Sequence, residues 1–547
     1  MYRRSVLSLV VFFVVVTPQP LDAQTPRWWP LFTIGSDQDD RTRLAQSRGL
    51  AASDGYLLRT PSTMATPLFG DTTHLRWALL IPQYEAVYNS AVPFSLNDGA
   101  MWAGRGWNQT TRAGLVAAWK RVSLTLAPEL LMSENLSDEG PPPIRLRPLP
   151  PGRDPLSSPW HTGPSSIDLP LRFGSRGFVH ADPGESSLSI NWGAVTTGLA
   201  TEHEWWGPGI RNALILSNNA AGIPRLFVRT SRPIRTGAGR FEVHWFLGGL
   251  FESQYFDATR GDDRRSINAL AASWTPPGVP TLTLGVTRSV YAPLAGWQDI
   301  FLHALDFLRD RGWHRAPADS TTVPSRDQLF SLFGRWVFPA DGLAVHFEWG
   351  RNEPPSSLRD FLTAPNHSQA YTLGLEWATS VRADRDALRL QAEMTYLQQS
   401  NTYRDRSVDS WYTGRAAQQG YTQQGQVIGA AIGPGGSSQW LGLDYFAPTW
   451  RVGLSAGRIR WDDDALYILP RHYANNTWCS HDVSLFGGLN GSYASPWGQL
   501  QASVTVGERL NVFFYHLWYC GPPSSPLDVL DVRNTTLQLR FTPRLHD

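Results

Sequence analysis

The feature that most constrains this chain is a long series of segments in which apolar residues alternate with polar or small ones. From about residue 113 onward this alternation recurs, most clearly in residues 281–286, 343–350, 388–396 and 499–506. A period of two places apolar side chains on one face of a β-strand and polar side chains on the other. The sequence therefore predicts an all-β fold built from two-faced strands.

Such strands occur both in soluble β-sandwiches and in transmembrane β-barrels. These segments are long, aromatic residues lie near their ends, and Arg389 and Glu393 lie on a face that could line a watery lumen. Outer-membrane barrels alternate lipid-facing and lumen-facing residues in this way, with aromatic girdles at both interfaces. After the N-terminal segment there is no run of 18 apolar residues, so no helical span is predicted. A closed antiparallel barrel also satisfies all backbone polar groups in lipid.

The number of strands follows from the length of the repeating region. Strands of about 10 residues with their loops would use about 24 residues each, which gives about 18 strands, an even number as such barrels require. The last alternating segment, Thr535 to Phe541, ends on an aromatic residue and looks like the terminal strand that the barrel-insertion machinery recognises. Residues 542–547 follow it as a C-terminal extension, which departs from the usual pattern.

The N-terminus has the pattern of an export signal. Arg3 and Arg4 precede an apolar run from Val6 to Val16, and a short stretch ends at Ala23. This arrangement predicts a signal peptide over residues 1–23 that is cleaved after Ala23. The alternative is a retained anchor, but the run is shorter than the about 20 apolar residues that span a bilayer.

Residues 24–112 differ from the rest and are predicted to form an N-terminal periplasmic region that precedes a barrel over residues 113–541. Ser36 and Asp39 have the spacing of a capping box at the start of a short polar helix that runs through Gly49. A small helical periplasmic element is therefore expected. The alternative is a disordered leader.

Two segments interrupt the strand rhythm. Residues 139–164 are crowded with proline, which excludes a ladder strand and favours a surface loop. The segment from Trp297 to Gly312 carries apolar residues at helical spacing, with Gly312 as a C-cap. It is predicted to be a helix in an extracellular loop or in the lumen; association with the membrane surface is the less favoured alternative.

Composition and motifs argue against several functions. Only 17% of the residues are charged and the formal net charge is +1, whereas nucleic-acid binding needs a concentrated basic surface. The glycine-rich segment Gly429 to Ser438 lacks the Lys-Ser or Lys-Thr of a phosphate loop, so an inward-folded constriction loop is favoured. No catalytic residue, metal site or cofactor is predicted.

Two groups of ionisable residues are the nearest approach to a catalytic or metal site. His203 lies between Glu202 and Glu204, but no His-x-x-x-His pair or nucleophile elbow accompanies it. A structural or glycan-contacting histidine is therefore favoured over an acid–base or metal-binding one. The run from Asp462 to Asp464 could bind a divalent ion, and a solvated loop explains it equally well.

Four segments together resemble the Wzi family of capsule-assembly outer-membrane proteins, over roughly Leu75 to Phe541. They are Asn97 to Gly106 (NDGAMWAGRG), Thr201 to Gly209 (TEHEWWGPG) with Leu214 to Ala220 (LILSNNA), Pro365 to Gly374 (PNHSQAYTLG), and Gly420 to Gly435 with its Gly-Tyr-Thr and Ile-Gly-Pro-Gly motifs. The resemblance implies a barrel of about 18 strands that is blocked to free diffusion. It also implies a lectin that holds capsular polysaccharide at the cell surface without catalysis.

Besides polysaccharide, the expected partners are outer-membrane lipid and the barrel-insertion machinery. The alternative function is an outer-membrane porin or substrate-specific channel. Sugars bind to flat aromatic faces and to planar amide or carboxylate groups. One part of the chain supplies both kinds, so the glycan-binding candidates are Glu202, Glu204, Trp205, Trp206, Asn218 and Asn219. The alternative favoured by the residues alone is a strand end and tight turn, with both tryptophans in the interfacial girdle.

The two cysteines, Cys479 and Cys520, are predicted to form a disulfide because an exported protein meets an oxidising compartment. A strand, a turn near Pro496 and a return strand would bring them to the same extracellular end of one hairpin. Closing this loop of about 40 residues is expected to stabilise the fold by about 4 kcal/mol. Non-reducing peptide mapping should recover the cross-link, and free thiols in the native protein would contradict it. Labelling by a cell-impermeant reductant and maleimide tests the orientation.

Overall fold

The computed structural model describes most of the chain. The described residues are 27–64, 72–137, 151–259, 261–309, 325–353, 355, 357–382, 385–404, 406–468, 479–516, 525 and 528–545. The predicted signal peptide, Gly312 and Cys520 lie outside them, so the signal peptide and the disulfide stay predictions. Among the described residues, no helix is long and apolar enough to cross a membrane.

Strands dominate the secondary structure, as predicted for an all-β protein. The strands are β1 Trp28–Trp29, β2 Leu58–Arg59, β3 Arg76–Leu80, β4 Gln83–Asn89, β5 Gly106–Arg112, β6 Leu115–Trp119, β7 Val122–Leu126, β8 Glu129–Ser133, β9 Phe178–Asp182, β10 Ser187–Asn191, β11 Val195–Ala200, β12 Trp205–Trp206, β13 Arg225–Thr230, β14 Ile234–Thr236, β15 Gly239–Phe251, β16 Arg264–Thr275, β17 Leu282–Pro293, β18 Asp327–Phe338, β19 Leu343–Arg351, β20 Gln369–Val381, β21 Asp386–Tyr396, β22 Thr422–Gln423, β23 Gln426–Val427, β24 Ser437–Phe446, β25 Trp450–Trp461, β26 Asp482–Ser495, β27 Gly498–Leu510 and β28 Val532–Pro543.

The helices are short. They are α1 Asp37–Ser47, α2 Pro61–Met64, α3 Asp306–Arg309, α4 Leu358–Thr363 and α5 Asp463–Ile468, with 3-10 helices at Trp297–His303, Asn401–Arg404 and Val512–Phe514.

One sheet contains 24 of the strand segments described here. Consecutive long strands pair antiparallel, as β26 does with β27 from Val483↔Leu510 to Ser495↔Gly498. The final strand β28 pairs with β4 near the start of the sheet. Two further pairs of very short strands, β2 with β12 and β22 with β23, lie apart from this sheet. The segment count does not by itself confirm the estimate of about 18 strands.

The sheet begins earlier than the predicted boundary at residue 113. Strands β3, β4 and β5 lie within the region assigned to the periplasm, and β4 pairs with both β5 and β28. The boundary was placed too late because β5 has the sequence GWNQTTR, whose outer face lacks a clear apolar alternation. At the other end β28 extends to Pro543, beyond the predicted last barrel residue.

The outer face of the sheet is apolar and the inner face is polar. In β20 the outward Leu373 and Trp377 are 45% and 40% exposed, whereas Thr372 and Glu376 of the same strand are fully enclosed. Large exposed aromatic residues also gather near one end of the strands: Trp77, Trp119, Trp192, Trp274, Trp336, Trp377, Trp450 and Tyr493. An apolar belt with an aromatic girdle is the surface that a lipid bilayer requires.

The two ends of the sheet differ in the length of their connections. Short turns such as 339–342 and 496–497 join strands at the girdled end. Long connections such as 201–224 and 397–436 lie at the opposite end. Outer-membrane barrels have short periplasmic turns and long extracellular loops. The long connections are therefore extracellular.

These long connections turn inward and fill the sheet's interior. Loop residues such as Trp206, Leu214 and Tyr412 pack against wall residues such as Phe246 and Phe333 in one buried apolar cluster. The segments 201–224 and 406–436 thus form a core of the kind that soluble proteins have. The inward fold expected for Gly429 to Ser438 agrees with the burial of Ala430 and Ile432.

The helix predicted from Ser36 to Gly49 is present as α1. The Ser36 hydroxyl accepts a hydrogen bond from the Asp39 amide, and Gly49 follows the helix with a positive φ of 70°. The Asp39 carboxylate accepts from the Gly35 amide, so the reciprocal bond of a capping box is shifted by one residue. The helix packs within the sheet at its periplasmic end, where Leu44 meets Phe446.

The segment from Trp297 to Gly312 is not one continuous helix. A 3-10 helix at Trp297–His303 is followed by α3, a single turn at Asp306–Arg309. Phe301, Leu302 and Leu308 are 60–69% exposed, so this segment does not fold into the lumen. The helical spacing of apolar residues predicted helical structure in this segment. It did not indicate on which side of the sheet the segment packs.

Arg389 is expected to anchor helix α1 within the sheet. Its enclosed guanidinium contacts Asp444 at 2.7 Å and Asp40 of α1 at 3.0 Å. Arg451 also contacts Asp40, and lies 3.9 Å from Asp444, so Arg389→Ala removes the nearer cation of Asp444 and one of two cations of Asp40. The loss should cost about 3 kcal/mol of stability. Trypsin cleavage at Arg41 should become faster in the variant. Arg533→Ala, which removes an 87% exposed guanidinium, is the matched control and should behave like the parent; equal cleavage of both variants would contradict the anchoring role.

Candidate functional site

The tryptophan pair predicted to contact glycan lies inside the molecule. Trp205 and Trp206 form β12, which pairs with β2 through Arg59 and Leu58. Their side chains are 2% and 0% exposed. The Trp206 indole donates to Glu204 at 2.7 Å, and its ring packs against Phe246 with centroids 5.5 Å apart. Neither a sugar-contacting face nor a place in the interfacial girdle fits this position.

The two predicted glutamates bind the protein's own cations. Glu204 pairs with Arg225 at 2.8 Å. Glu202 accepts from the amide and hydroxyl of Ser62 and lies 3.3 Å from Arg229. Both carboxylates are buried, so they fasten the segment 201–224 to the inner wall and to the N-terminal region.

The two asparagines fasten loops to one another. The Asn219 side chain accepts from the Asn97 amide at 3.0 Å and donates to the Val427 carbonyl at 2.9 Å. Asn218 is half-buried and donates to the Asn97 carbonyl at 3.3 Å. Three of the four segments that suggested the family resemblance thereby meet in the interior.

His203 is also part of this framework. Its ring lies 2.8 Å from both the Glu185 carboxylate and the Ala220 carbonyl. Burial alone would lower the pKa of His203, but Glu185 outweighs it and raises the pKa to about 9. A protonated imidazole with both nitrogens engaged is a structural cation, which agrees with the interpretation favoured from the sequence. Among the described residues, no group of three or more His, Cys, Asp or Glu could hold a metal ion.

A different site opens at the extracellular end. We call this cavity of about 600 Å³ the vestibule. Six aromatic residues line it: Phe94, Trp102, Trp160, Trp461, Phe513 and Phe514. Polar side chains of the lining include His161, Asn219, Gln426, Asp462, Asp482 and Arg509. Of the predicted candidates, Asn219 alone lines this cavity.

Charged groups in the vestibule are held as pairs beside the aromatic rings. The Arg509 guanidinium makes two hydrogen bonds of 2.7 Å to Asp482 and lies 5.3 Å from the Trp461 ring centre. His161 lies 2.8 Å from Asp462. Flat rings next to fixed carboxylates and a planar guanidinium can contact the C–H faces and the hydroxyl groups of a sugar. The vestibule therefore combines aromatic faces and planar polar groups, which the sequence analysis predicted around Trp205.

The vestibule residues were missed because they come from strand ends and from loops that are distant in sequence. Trp102 lies within the first family segment, which was noted for its resemblance and not for binding. Trp160 lies near the end of the proline-rich loop, and Phe513 and Phe514 follow β27. The usable signal would have been an aromatic residue in each long extracellular connection.

Below the vestibule the lumen narrows. Phe94 and Phe486 meet edge to face with ring centres 5.6 Å apart. A second cavity of about 280 Å³ lies on their periplasmic side, and both rings line it. Its walls are mostly polar and include the charged residues Asp40, Asp98, Arg389, Asp444, Arg451 and Arg540. An aromatic contact thus lies between a sugar-compatible cavity and a charged one.

These features define an outer-membrane β-barrel whose lumen is filled by its own loops. They are the apolar belt, the aromatic girdle, the short periplasmic turns and the loop-filled interior. Residues 93–292 match the family model described as capsule assembly protein Wzi. The match confirms the resemblance that the sequence motifs indicated. No curated protein sequence matches the chain.

One solved structure supports this fold class, and two others are reported beside it. Wzi of Escherichia coli, described as a carbohydrate-binding β-barrel involved in group 1 capsule assembly, superposes with a TM-score of 0.57 at 11% identity, covering 93% of this chain and 99% of that one. OccAB2 of Acinetobacter baumannii has a TM-score of 0.39 at 8% identity, covering 84% and 96%. OccD3 of Pseudomonas aeruginosa has a TM-score of 0.38 at 9% identity, covering 90% and 98%.

Loop closure over the vestibule should weaken as pH rises. Burial raises the pKa of Asp464 to about 7, and Asp462 raises the pKa of His161 above its ordinary value although burial opposes this. Both groups bind protons more tightly in the folded protein, so stability falls from about pH 4 to 7 as Asp464 ionises and further as His161 loses its proton. Amide exchange of residues 463–468, corrected for its intrinsic pH dependence, should be slower at pH 5 than at pH 8.

The control for this pH effect is Asp464→Asn, which should reduce the change between pH 5 and 7. Peptides from β24 should show no such change in either protein. Equal protection of residues 463–468 at both pH values in the parent would contradict the role of these two groups.

Proposed function

We propose that the protein holds surface polysaccharide at the extracellular vestibule and contributes in this way to capsule assembly, without a catalytic step. The observation that carries the proposal is a cavity of about 600 Å³ lined by six aromatic residues beside fixed charged pairs, at the end of the barrel that bears the long loops. The similarity of the fold to E. coli Wzi, which is a carbohydrate-binding β-barrel, supports it.

The binding residues in this proposal are the exposed parts of Trp102, Trp160, Trp461 and Phe513, with Asp462 and Arg509 for the hydroxyl groups. The candidates Glu202, Glu204, Trp205 and Trp206 have a supporting part. They hold the loop 201–224 against the wall, so the loops above keep the shape of the vestibule. Asn218 and Asn219 connect this loop with the first family segment.

We also infer that the wall is a closed ring of 18 strands. Five pairs of neighbouring segments each act as one strand with a local irregularity: β3 with β4, β5 with β6, β7 with β8, β9 with β10, and β13 with β14. Members of each pair face the same neighbour, as β13 and β14 both pair with β15. With β1 set aside as a parallel appendage, 18 strands remain among the described residues, and the β28–β4 pairing supports the closure of the ring.

The vestibule is tested by removing two of its aromatic faces. Trp160→Ala with Phe513→Ala should lower polysaccharide retention, because two lost aromatic contacts of about 1 kcal/mol each weaken binding by roughly tenfold or more. Retention is measured on cells and as binding of isolated capsular polysaccharide to the purified protein. The matched control is Trp497→Ala, which removes an 82% exposed tryptophan from a periplasmic turn.

Both variants must insert normally, as judged by heat-modifiable migration. If the inserted double variant retains polysaccharide like the parent, the vestibule does not bind it. The alternative function, a porin or substrate-specific channel, requires a continuous lumen. A large, stable conductance of the parent protein in planar bilayers would favour that alternative over the proposal.

A further inference from the structure

An apolar loop segment lies on the outside of the barrel. The segment 297–309, which we call the outer strap, contacts β15, β16 and β17 through its 3-10 helix and α3. Phe301, Leu302, Leu305 and Leu308 are 50–69% exposed. This many large apolar side chains on one short extracellular segment would be costly in water.

The outer strap covers polar residues on the lipid-facing side of the wall. In β16, Ile267 and Ala269 belong to the lumen core, so Asn268 between them points outward. In β17, Tyr291 belongs to the same core, so Arg288 also points outward by the alternation of the strand. Both outward residues lie several positions inside the ends of their strands, at the height of the apolar belt.

The backbone of the strap satisfies these outward groups. The Asn268 amide donates to the Ala304 carbonyl at 2.7 Å. The Arg288 guanidinium donates to the Phe307 carbonyl at 2.7 Å and to Gln328 at 2.6 Å. Uncovered polar groups at this height would face hydrocarbon, where they are strongly disfavoured. The strap therefore lies at membrane depth, with its leucines turned away from the wall.

Between the strap and the wall there is an apolar groove of about 570 Å³. Outward leucines of the wall form its floor, and the strap forms one side: Leu126, Leu188, Leu199, Leu226 and Leu247 with Trp297, Ile300 and Phe301. A Cβ at Gly249 would lie 2.5 Å from the Trp297 ring, so a glycine there allows the ring to sit on the wall. The exposed Arg264 lies 5.8 Å from the same ring.

We infer that the outer strap is embedded in the outer leaflet and that the groove binds an acyl chain of a phosphorylated outer-leaflet lipid. Lipid chains are the surroundings at this height of the wall, and the groove's lining is apolar. Arg264 begins β16 at the extracellular edge, where it can pair with a phosphate above the seated chain. This site lies on the opposite side of the wall from the vestibule and does not depend on polysaccharide binding.

The depth of the strap is measured with a nitroxide spin label at Leu305→Cys in the full chain, reconstituted in phosphatidylglycerol–phosphatidylcholine vesicles. Oxygen should relax the label much more than a water-soluble nickel chelate, as at the reference site Leu441→Cys on the outer face of β24. Accessibility like that of Asn401→Cys in an extracellular loop would overturn the inference. The parent chain, treated in the same way, measures any label at Cys479 or Cys520.

Occupancy of the groove is measured with a phosphatidylglycerol that carries a photoreactive acyl chain. Cross-links should map to residues 297–309, and Trp297→Ala with Phe301→Ala should abolish them. Leu358→Ala with Leu362→Ala, which changes exposed leucines of α4 outside the groove, should keep the parent level. Arg264→Ala should remove the preference for this lipid over a photoreactive diacylglycerol. Cross-links that are absent from the strap, or unchanged by the groove variant, would overturn the inference.

Discussion

Enclosed charges on the inner wall are the constraint on which the rest of this structure depends. The Glu393 carboxylate accepts hydrogen bonds from the amides of Ile210, Arg211 and Asn212, and Glu348 accepts from the Leu214 amide at 3.0 Å. A buried carboxylate without such donors would be strongly unfavourable. The wall therefore requires the loop 201–224 to enter the lumen. In return, the wall carboxylates accept hydrogen bonds from loop amides that are not paired in the sheet.

This exchange explains why the residues that carry the family resemblance are interior ones. Glu202, Glu204 and His203 each have a partner on the wall or on another loop, so a change at one of them leaves a charge unpaired. Ligand binding needs side chains with a free face, which such a network cannot provide. The vestibule lies at the extracellular end of the barrel. There, half-buried aromatic rings replace the enclosed ion pairs of the interior.

The sequence predicted the strands, the orientation of apolar side chains toward the outer face, and the helix capped by Ser36. Each of these depends on a local period or spacing. It did not predict the burial of Trp205 and Trp206, since two adjacent aromatic residues look the same in a girdle and in a core. The early start of the sheet was missed at β5, whose polar sequence hides its pairing with β4. The vestibule was missed because its residues come from strand ends and loops distant in sequence.

The same rule operates on both faces of the wall. Inside, the Arg265 guanidinium donates to the Phe251 carbonyl at 3.0 Å; outside, Arg288 donates to the Phe307 carbonyl at 2.7 Å. A polar side chain on the lipid-facing side of a strand needs another segment of the chain to cover it. The helical spacing of apolar residues from Trp297 to Leu308 gives the covering segment an apolar side that faces away from the wall. An arginine on the outer face of a barrel strand, followed by an extracellular loop with an apolar helical pattern, is thus a sequence signal for a strap of this kind.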